Sequence, residues 1–476
     1  MEVFAYDDYD EYEGDSDDVE YLDYYDDEVY ELPEDDDAWE EEEDETVTQF
    51  STSELYEFCV VPTLSDSVRH LSSLLLWSLI FTLTTRIVRP PAWLVHLIST
   101  ACGCVVAWQL FGPRVLFMMY LILAGTLALF CSDKLLHSRR GPWTCASCVV
   151  FLILCELWWA DPVEWHSIRG AQMIILMKIV SIAFDLDASV LSSRPNLIEI
   201  AGYIMNPGTV IFGPWISLDS YRKVLQPLSV NLMLIANIVS KLVASAIYLL
   251  FSTCFVSWLV PDNLSRWMMA YRKALSFRSS HYFVSYFSEA SALLAGLEVG
   301  AVAKPAYIEI PRSLVEVVIY WNMPMHHWLK TYIFKTARNR FGIFGALLFT
   351  YIMSSLFHGL NFQLAAVLLS LGFYTYVEYS LRQKLASVFD ACILARRCSE
   401  NCGHAQKGKS GFSVLVNVGF GFLTIFHLAY LGIMFDSPSQ KQEAGYSMKH
   451  TLSMWSSLHY ASHWIIFLFY IMSSVI

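Results

Sequence analysis

Residues 92–131 read AWLVHLISTACGCVVAWQLFGPRVLFMMYLILAGTLALFC, and this run decides the class of fold. Arg114 is its one charged side chain. The hydrocarbon core of a bilayer is about 30 Å thick and takes about 20 helical residues. Ala92–Phe111 is one such length and Val115–Cys131 nearly another, with Gly112-Pro113-Arg114 between them. Backbone amides in hydrocarbon find no water, so segments like these must be helical. Working outward, comparable apolar runs occur at Leu71–Thr85, Trp143–Ala160, Leu232–Leu259, Phe341–Phe357, Phe362–Tyr379, Phe412–Phe435 and Trp455–Ile476. The expectation is an all-α, polytopic membrane protein of about 9–12 transmembrane or re-entrant helices.

Composition agrees. The chain is 55% hydrophobic and only 16% charged, against roughly 25% charged in soluble domains. Its net charge of −15 conceals two regions. Residues 1–45 hold 25 acidic side chains and no Lys or Arg; the rest carries 21 acidic and 31 basic. Residues 1–58 therefore read as an acidic, self-repelling disordered tail, with seven tyrosines from Tyr6 to Tyr30 interleaved among the acids. Residues 59–476 form the membrane-embedded domain. No signal peptide is expected, because the first residues are acidic; the first span then serves for targeting. The bilayer is an expected partner and nucleic acid is not.

Several segments break the apolar pattern. Asp161–Asp187 carries Glu164, Arg169, Lys178, Asp185 and Asp187. It is either a segment packed inside protein or a loop with an interfacial helix. Ile198–Ile216, with Asn206-Pro207-Gly208 and Gly213-Pro214, reads as a broken helix. Arg266, Arg272, Lys273 and Arg278 form a basic, aromatic stretch suited either to anionic head groups and phosphates or to a plain cytoplasmic loop. Arg312 and Glu316 have the i,i+4 spacing of a helix-face pair.

Eleven cysteines do not suggest a disulfide framework. Cys102, Cys104, Cys131, Cys145, Cys148, Cys155 and Cys254 lie in or beside apolar runs, as small hydrophobes do. Cys398, Cys402 and His404, with Cys392 upstream, have a loose metal-site spacing. Reduced, reactive or lipidated thiols fit it too, and no metal is expected.

Two polar residues remain beside membrane-grade sequence. His358 ends the run Ser354-Ser355-Leu356-Phe357, and Asn322 sits between Trp321 and Met323-Pro324. A neutral imidazole in such a place is either a general base or a packed helix end. An Asn there is either an oxyanion donor or base orienter, or the N-cap of a helix beginning at Met323-Pro324. Trp321 and Arg312 flank this candidate centre as substrate contacts. Trp321 fits equally as an interface anchor.

The pair Trp321-Asn322 with His358 in SSLFHG resembles the membrane-bound O-acyltransferase family. Trp165-His166, Arg169-Gly170-Ala171-Gln172-Met173, Phe184-Asp185-Leu186-Asp187, Phe212-Gly213-Pro214-Trp215-Ile216-Ser217 and Pro311-Arg312-Ser313 extend the likeness to the branch that acylates Wnt proteins. The resemblance implies a helical bundle around a central tunnel. It also implies a protein-serine O-acyltransferase of the endoplasmic reticulum membrane. Such an enzyme moves a palmitoleoyl group from acyl-CoA, a substrate rather than a cofactor, to a Wnt serine. His358 would be its catalytic histidine and Asn322 its second signature residue. Lys330 and Lys335 join the basic stretch as candidates to meet CoA phosphates. Other acceptors, a lipid or another secreted protein, keep the same fold; a transporter or a non-catalytic chaperone would change the class.

Overall fold

The computed structural model describes residues 51–135, 139–226, 231–261, 263–399, 402–435 and 448–476. The described chain is helical. Its main elements are α1 (Val61–Ile87), α2 (Ala92–Phe111), α3 (Val115–Leu135), α4 (Arg140–Trp158), α5 (Pro162–Asp187), α6 (Leu197–Ile204), α7 (Leu232–Leu250) and α8 (Arg266–Leu294). There follow α9 (Leu314–Trp321), α10 (Met323–Trp328), α11 (Lys335–Phe357), α12 (Phe362–Val388), α13 (Gly411–Gly432), α14 (Met448–Ser457) and α15 (Ala461–Val475). Among the described residues, seven helical stretches are long and apolar enough to cross a membrane, and the bent pair α14–α15 makes up to eight. Against the expected 9–12, α1 and α8 are long helices whose polar residues keep them out of that count.

The acidic tail from residue 1 to 50 lies outside the described residues. Residues 52–58, the last of the expected tail, are helical, starting from a Ser51–Glu54 capping box and running on into α1. Cys254 also departs from expectation. It forms a disulfide with Cys59, 195 positions away, which no local pattern announces.

Helix α5 settles the question left open at 161–187. Its apolar stretch is 78% buried, the highest share of the seven, so it is packed within protein and not laid on an interface. The charges are handled locally. Asp187 accepts from Gly141 N at 2.8 Å, and Asp185 accepts from Tyr332 Oη at 2.9 Å. Lys178 is fully buried and donates to the carbonyls of Tyr203 and Ile204 at 2.9 and 3.0 Å and to Thr209 Oγ1 at 2.8 Å.

Tyr203 and Ile204 end α6, where the chain breaks as expected and carbonyls have no helical partner. A lysine there satisfies them and opposes the negative end of the helix dipole. Lys178→Met removes all three donors, and each buried group left unpaired costs about 1–3 kcal/mol. The variant should melt several degrees lower in detergent, followed by thermal aggregation of the purified protein. An unchanged midpoint would refute this role.

Candidate active site

Met323 to Phe357 has the composition of one span but not its shape. Trp328 and Phe357 rings touch edge to face at 5.5 Å. A continuous helix would separate these residues by about 43 Å. The chain must therefore double back, and it does so at Gly342, whose φ of 67° breaks the helix. Glycine adopts that conformation without the steric penalty a Cβ brings. The first arm is α10, the π-helical turn Leu329–Phe334 and the start of α11; the second is the rest of α11. Asn322 precedes the first arm and His358 follows the second, so the hairpin brings both to its open end.

The second arm runs antiparallel to α12: Phe344 packs on Tyr376, and Tyr351 lies against Gly372. The hairpin tip thus points along α12 toward residue 388. Lys335, Arg338 and Arg340 lie exposed on the first arm near that tip.

His358 caps α11 and begins a tight turn. Gly359 has φ 87°, and Asn361 caps α12 by accepting from Leu364 N at 3.2 Å. The turn is latched to α4 and α5. Glu156 Oε1 accepts from Leu360 N at 3.1 Å and pairs with Arg169 Nη2 at 2.9 Å. The Arg169 guanidinium lies directly on Gly359, and its cation faces the Trp165 ring at 5.4 Å. Neither imidazole nitrogen of His358 is bonded to a protein group among the described residues. Beside it, α5 presents Trp165, Arg169 and Gln172 at i, i+4 and i+7. Among the described residues, Trp165 Nε1, Arg169 Nε and Nη1, and both amide atoms of Gln172 are buried without hydrogen-bond partners. Buried polar groups are normally paired, and an unpaired row beside a histidine is what a polar ligand would satisfy.

Asn322 takes the capping role. Its Oδ1 accepts from Met325 N at 3.0 Å, while its Nδ2–H groups are not part of the cap. Trp321 is held between two rings of α8: His281 stacks on it at 4.4 Å and Phe277 at 6.1 Å. His281 Nε2–H donates to the Trp321 carbonyl at 2.8 Å. Met323 N donates to Val302 O, and Val302 N to buried Glu289, itself paired with Lys241 at 2.6 Å. The stack continues through Phe277 to Phe435 at 4.0 Å, beside Met434, whose carbonyl accepts from Gln363. Gln363 is on the first turn of α12, so this path links the Asn322 end to the His358 end.

The other candidates are placed elsewhere. Arg312 gives its guanidinium to the carbonyls of Cys392 and Leu394, at 2.9 and 3.1 Å. The expected side-chain pair with Glu316 is not formed. Glu316 instead receives the Arg312 backbone N–H, because Ser313 starts α9 there and Glu316 completes the helix start. Arg278 is buried and forked onto Glu309 at 2.8 and 2.9 Å. Arg272 donates to Val260 O at 2.8 Å, Lys273 is half-buried nearby, and Arg266 is exposed at the start of α8. Ala274, on this part of α8, packs on Gly432 at the end of α13 remote from residue 411. This basic stretch and the hairpin tip therefore lie toward opposite ends of the bundle. Sequence reasoning had not singled out Glu156, Trp165, Gln172 or His281 as site residues. Apart from the strings that carry the resemblance, which include Trp165 and Gln172, their signal was polarity inside a helix, and it became specific once the turn at Gly359 was seen to rest on Arg169.

Residues 115–391 match the profile of MBOAT, the membrane-bound O-acyltransferase family. The chain is 38% identical over 445 residues to the protein-serine O-palmitoleoyltransferase porcupine of Homo sapiens, covering 87% of this chain and 95% of that one. Identity to the Anopheles gambiae porcupine is 35% over 473 residues, 90% and 94% of the two chains. Lysophospholipid acyltransferase 1 of Arabidopsis thaliana is more distant, 22% identical over 330 residues and 56% of this chain.

Proposed function

The chain belongs to the membrane-bound O-acyltransferase family, and on that premise we propose that it is a protein-serine O-palmitoleoyltransferase acting on Wnt proteins in the endoplasmic reticulum membrane. The observation that carries the site assignment is the hairpin, which gathers Asn322 and His358 at one end beside the unpartnered row of α5. Palmitoleoyl-CoA is the acyl donor. Its phosphates are met by Lys335, Arg338 and Arg340 at the hairpin tip, a compact set of exposed cations on one element. The acyl chain then extends into the bundle, gaining about 0.8 kcal/mol per buried CH₂.

In the reaction, His358 takes the proton of the acceptor serine as its oxygen attacks the thioester carbonyl. The tetrahedral intermediate collapses, the carbon–sulfur bond breaks, and the departing CoA sulfur receives the proton from the imidazolium. A thioester is already activated, so no covalent enzyme intermediate is needed. The Asn322 Nδ2–H groups stabilise the developing oxyanion, leaving Oδ1 on its cap.

Purified protein, labelled palmitoleoyl-CoA and a Wnt peptide with Ser or Ala at the acceptor position test this directly. Label must enter the Ser peptide alone; transfer to a lysophospholipid in preference to it would overturn the assignment. Two further outcomes are expected. Asn322→Ala should lower kcat about 10²-fold with acyl-CoA affinity nearly unchanged. Lost affinity at unchanged kcat would leave only the cap. Neutralising Lys335, Arg338 and Arg340 together should raise KM for palmitoleoyl-CoA about tenfold at similar kcat, and an unchanged KM would place the phosphates elsewhere.

A further inference from the structure

The loop joining α12 to α13 holds three thiols and an imidazole that the reaction does not use. Cys392 Sγ lies 3.0 Å from Cys402 Sγ and 3.6 Å from His404 Nδ1, and Cys398 Sγ is 3.9 Å from the same nitrogen. All four ligand atoms are within 4.8 Å of one another. We propose that Cys392, Cys398, Cys402 and His404 bind a structural zinc ion, and the expectation of no metal is revised accordingly.

The dimensions suit that ion. Zinc with three sulfurs at about 2.3 Å and a nitrogen at about 2.0 Å sets S···S near ~3.8 Å and S···N near ~3.5 Å. The two sulfur–nitrogen distances are within a few tenths of an ångström of this value. The Cys392–Cys402 contact is about 1 Å longer than a disulfide bond and opens to the zinc spacing with a small side-chain movement. Three thiolates and one imidazole are a set that selects zinc over the harder divalent ions. Zinc with three thiolates carries one net negative charge, and the Lys407 ammonium lies 4.0 Å from Cys402 Sγ.

The loop is anchored by the framework around it. Cys392 N donates to Gln406 O, and Gln406 N to Asp390 O, which closes the loop across its base. The Cys392 carbonyl accepts from Arg312 and Asn417, that of Ile393 from Arg382, that of Leu394 from both arginines, and that of Ala395 from Ser313. Ser313 is also the N-cap of α9, whose other end is Asn322. The ion would hold the segment on which Arg312 and Ser313 rest, and so fix where α9 begins.

The two faces of the bundle differ in the oxidation state of their cysteines. Helices α12 and α13 are antiparallel, with Phe389 against Phe412 at the loop end and Gln363 bonded to Met434 at the other. At that other end Phe435 stacks on Phe277, next to Ser276, which donates to Ser252 O in the turn that holds the Cys59–Cys254 disulfide. Helix α13 is 22 residues, about 33 Å, so the disulfide and the loop lie on opposite sides of a bilayer. Disulfides persist on the oxidising side of a membrane, and thiolates free to bind metal on the reducing side.

The test is metal analysis of the full-length protein purified in detergent without added metal. About one zinc per chain is expected, falling at least tenfold in the Cys398→Ser/Cys402→Ser variant. Absence of zinc from the unaltered protein, or equal zinc in the variant, would overturn the proposal. So would a Cys392–Cys402 disulfide found by peptide mass spectrometry of the freshly purified chain. Should the variant fail to fold, cobalt exchange into the unaltered protein decides. Intense thiolate-to-cobalt bands with tetrahedral ligand-field absorption support the site, and their absence refutes it.

Discussion

His358→Ala should reduce palmitoleoyl transfer by about 10²–10⁴-fold while the protein stays folded and membrane-inserted. The fold argument is independent of the chemistry. Among the described residues no protein group is hydrogen-bonded to the imidazole, and the turn that carries His358 is held by backbone bonds to Ser355 and Leu356 and by the Glu156 latch. Truncating the ring removes the proposed proton acceptor and leaves those bonds in place. The measurement is label transfer to the Ser peptide, alongside gel-filtration profile and melting temperature in detergent. Wild-type transfer by the variant would remove His358 from the reaction. A lower melting temperature with proportionate loss of activity would make it a packing residue.

Gly359→Ala is expected to be nearly as damaging without touching a reacting atom. A Cβ at this position would fall 1.7 Å from Arg169 Nη1 and 2.4 Å from Arg169 Cζ. The backbone also sits at φ 87°, where a side chain costs about 1–3 kcal/mol. The guanidinium must leave, which strands Glu156 and frees the turn that orients His358. Misplacement by about 1 Å costs on the order of 10²-fold in turnover, and breaking a buried ion pair about 3–5 kcal/mol of stability. A double-mutant cycle with Arg169→Ala separates the causes. If the clash is the mechanism, the two substitutions together cost less than the sum of their separate effects. Strict additivity, or an active Gly359→Ala enzyme, would contradict the latch.

These expectations show what one sequence made legible. Hydropathy identified the class because hydrocarbon demands about 20 apolar residues per crossing, and 92–131 supplies them almost without interruption. His358 and Asn322 stood out because polarity at the edge of such runs is costly. The partners of these residues were not legible. Glu156 and Arg169 meet the turn at Leu360 from about 200 positions away, and nothing in their own neighbourhood marks that contact. The partners of Arg312 were hidden for a related reason. A lone arginine looks available for substrate until the carbonyls of a loop some 80 positions later are seen to occupy it. The same holds for Cys254, whose apolar surroundings concealed a partner at Cys59.

The hairpin at Gly342 sets a register. His358 stands at the end of an arm counted from that glycine, and each helical residue turns the chain by about 100° and advances it by 1.5 Å. One residue added to or removed from the second arm would swing His358 about a quarter-turn away from Asn322, with the composition of the span unchanged. The length of that arm is therefore as much a part of the proposed reaction centre as the imidazole. Substitutions along its lipid-facing side should be tolerated freely where single insertions and deletions are not.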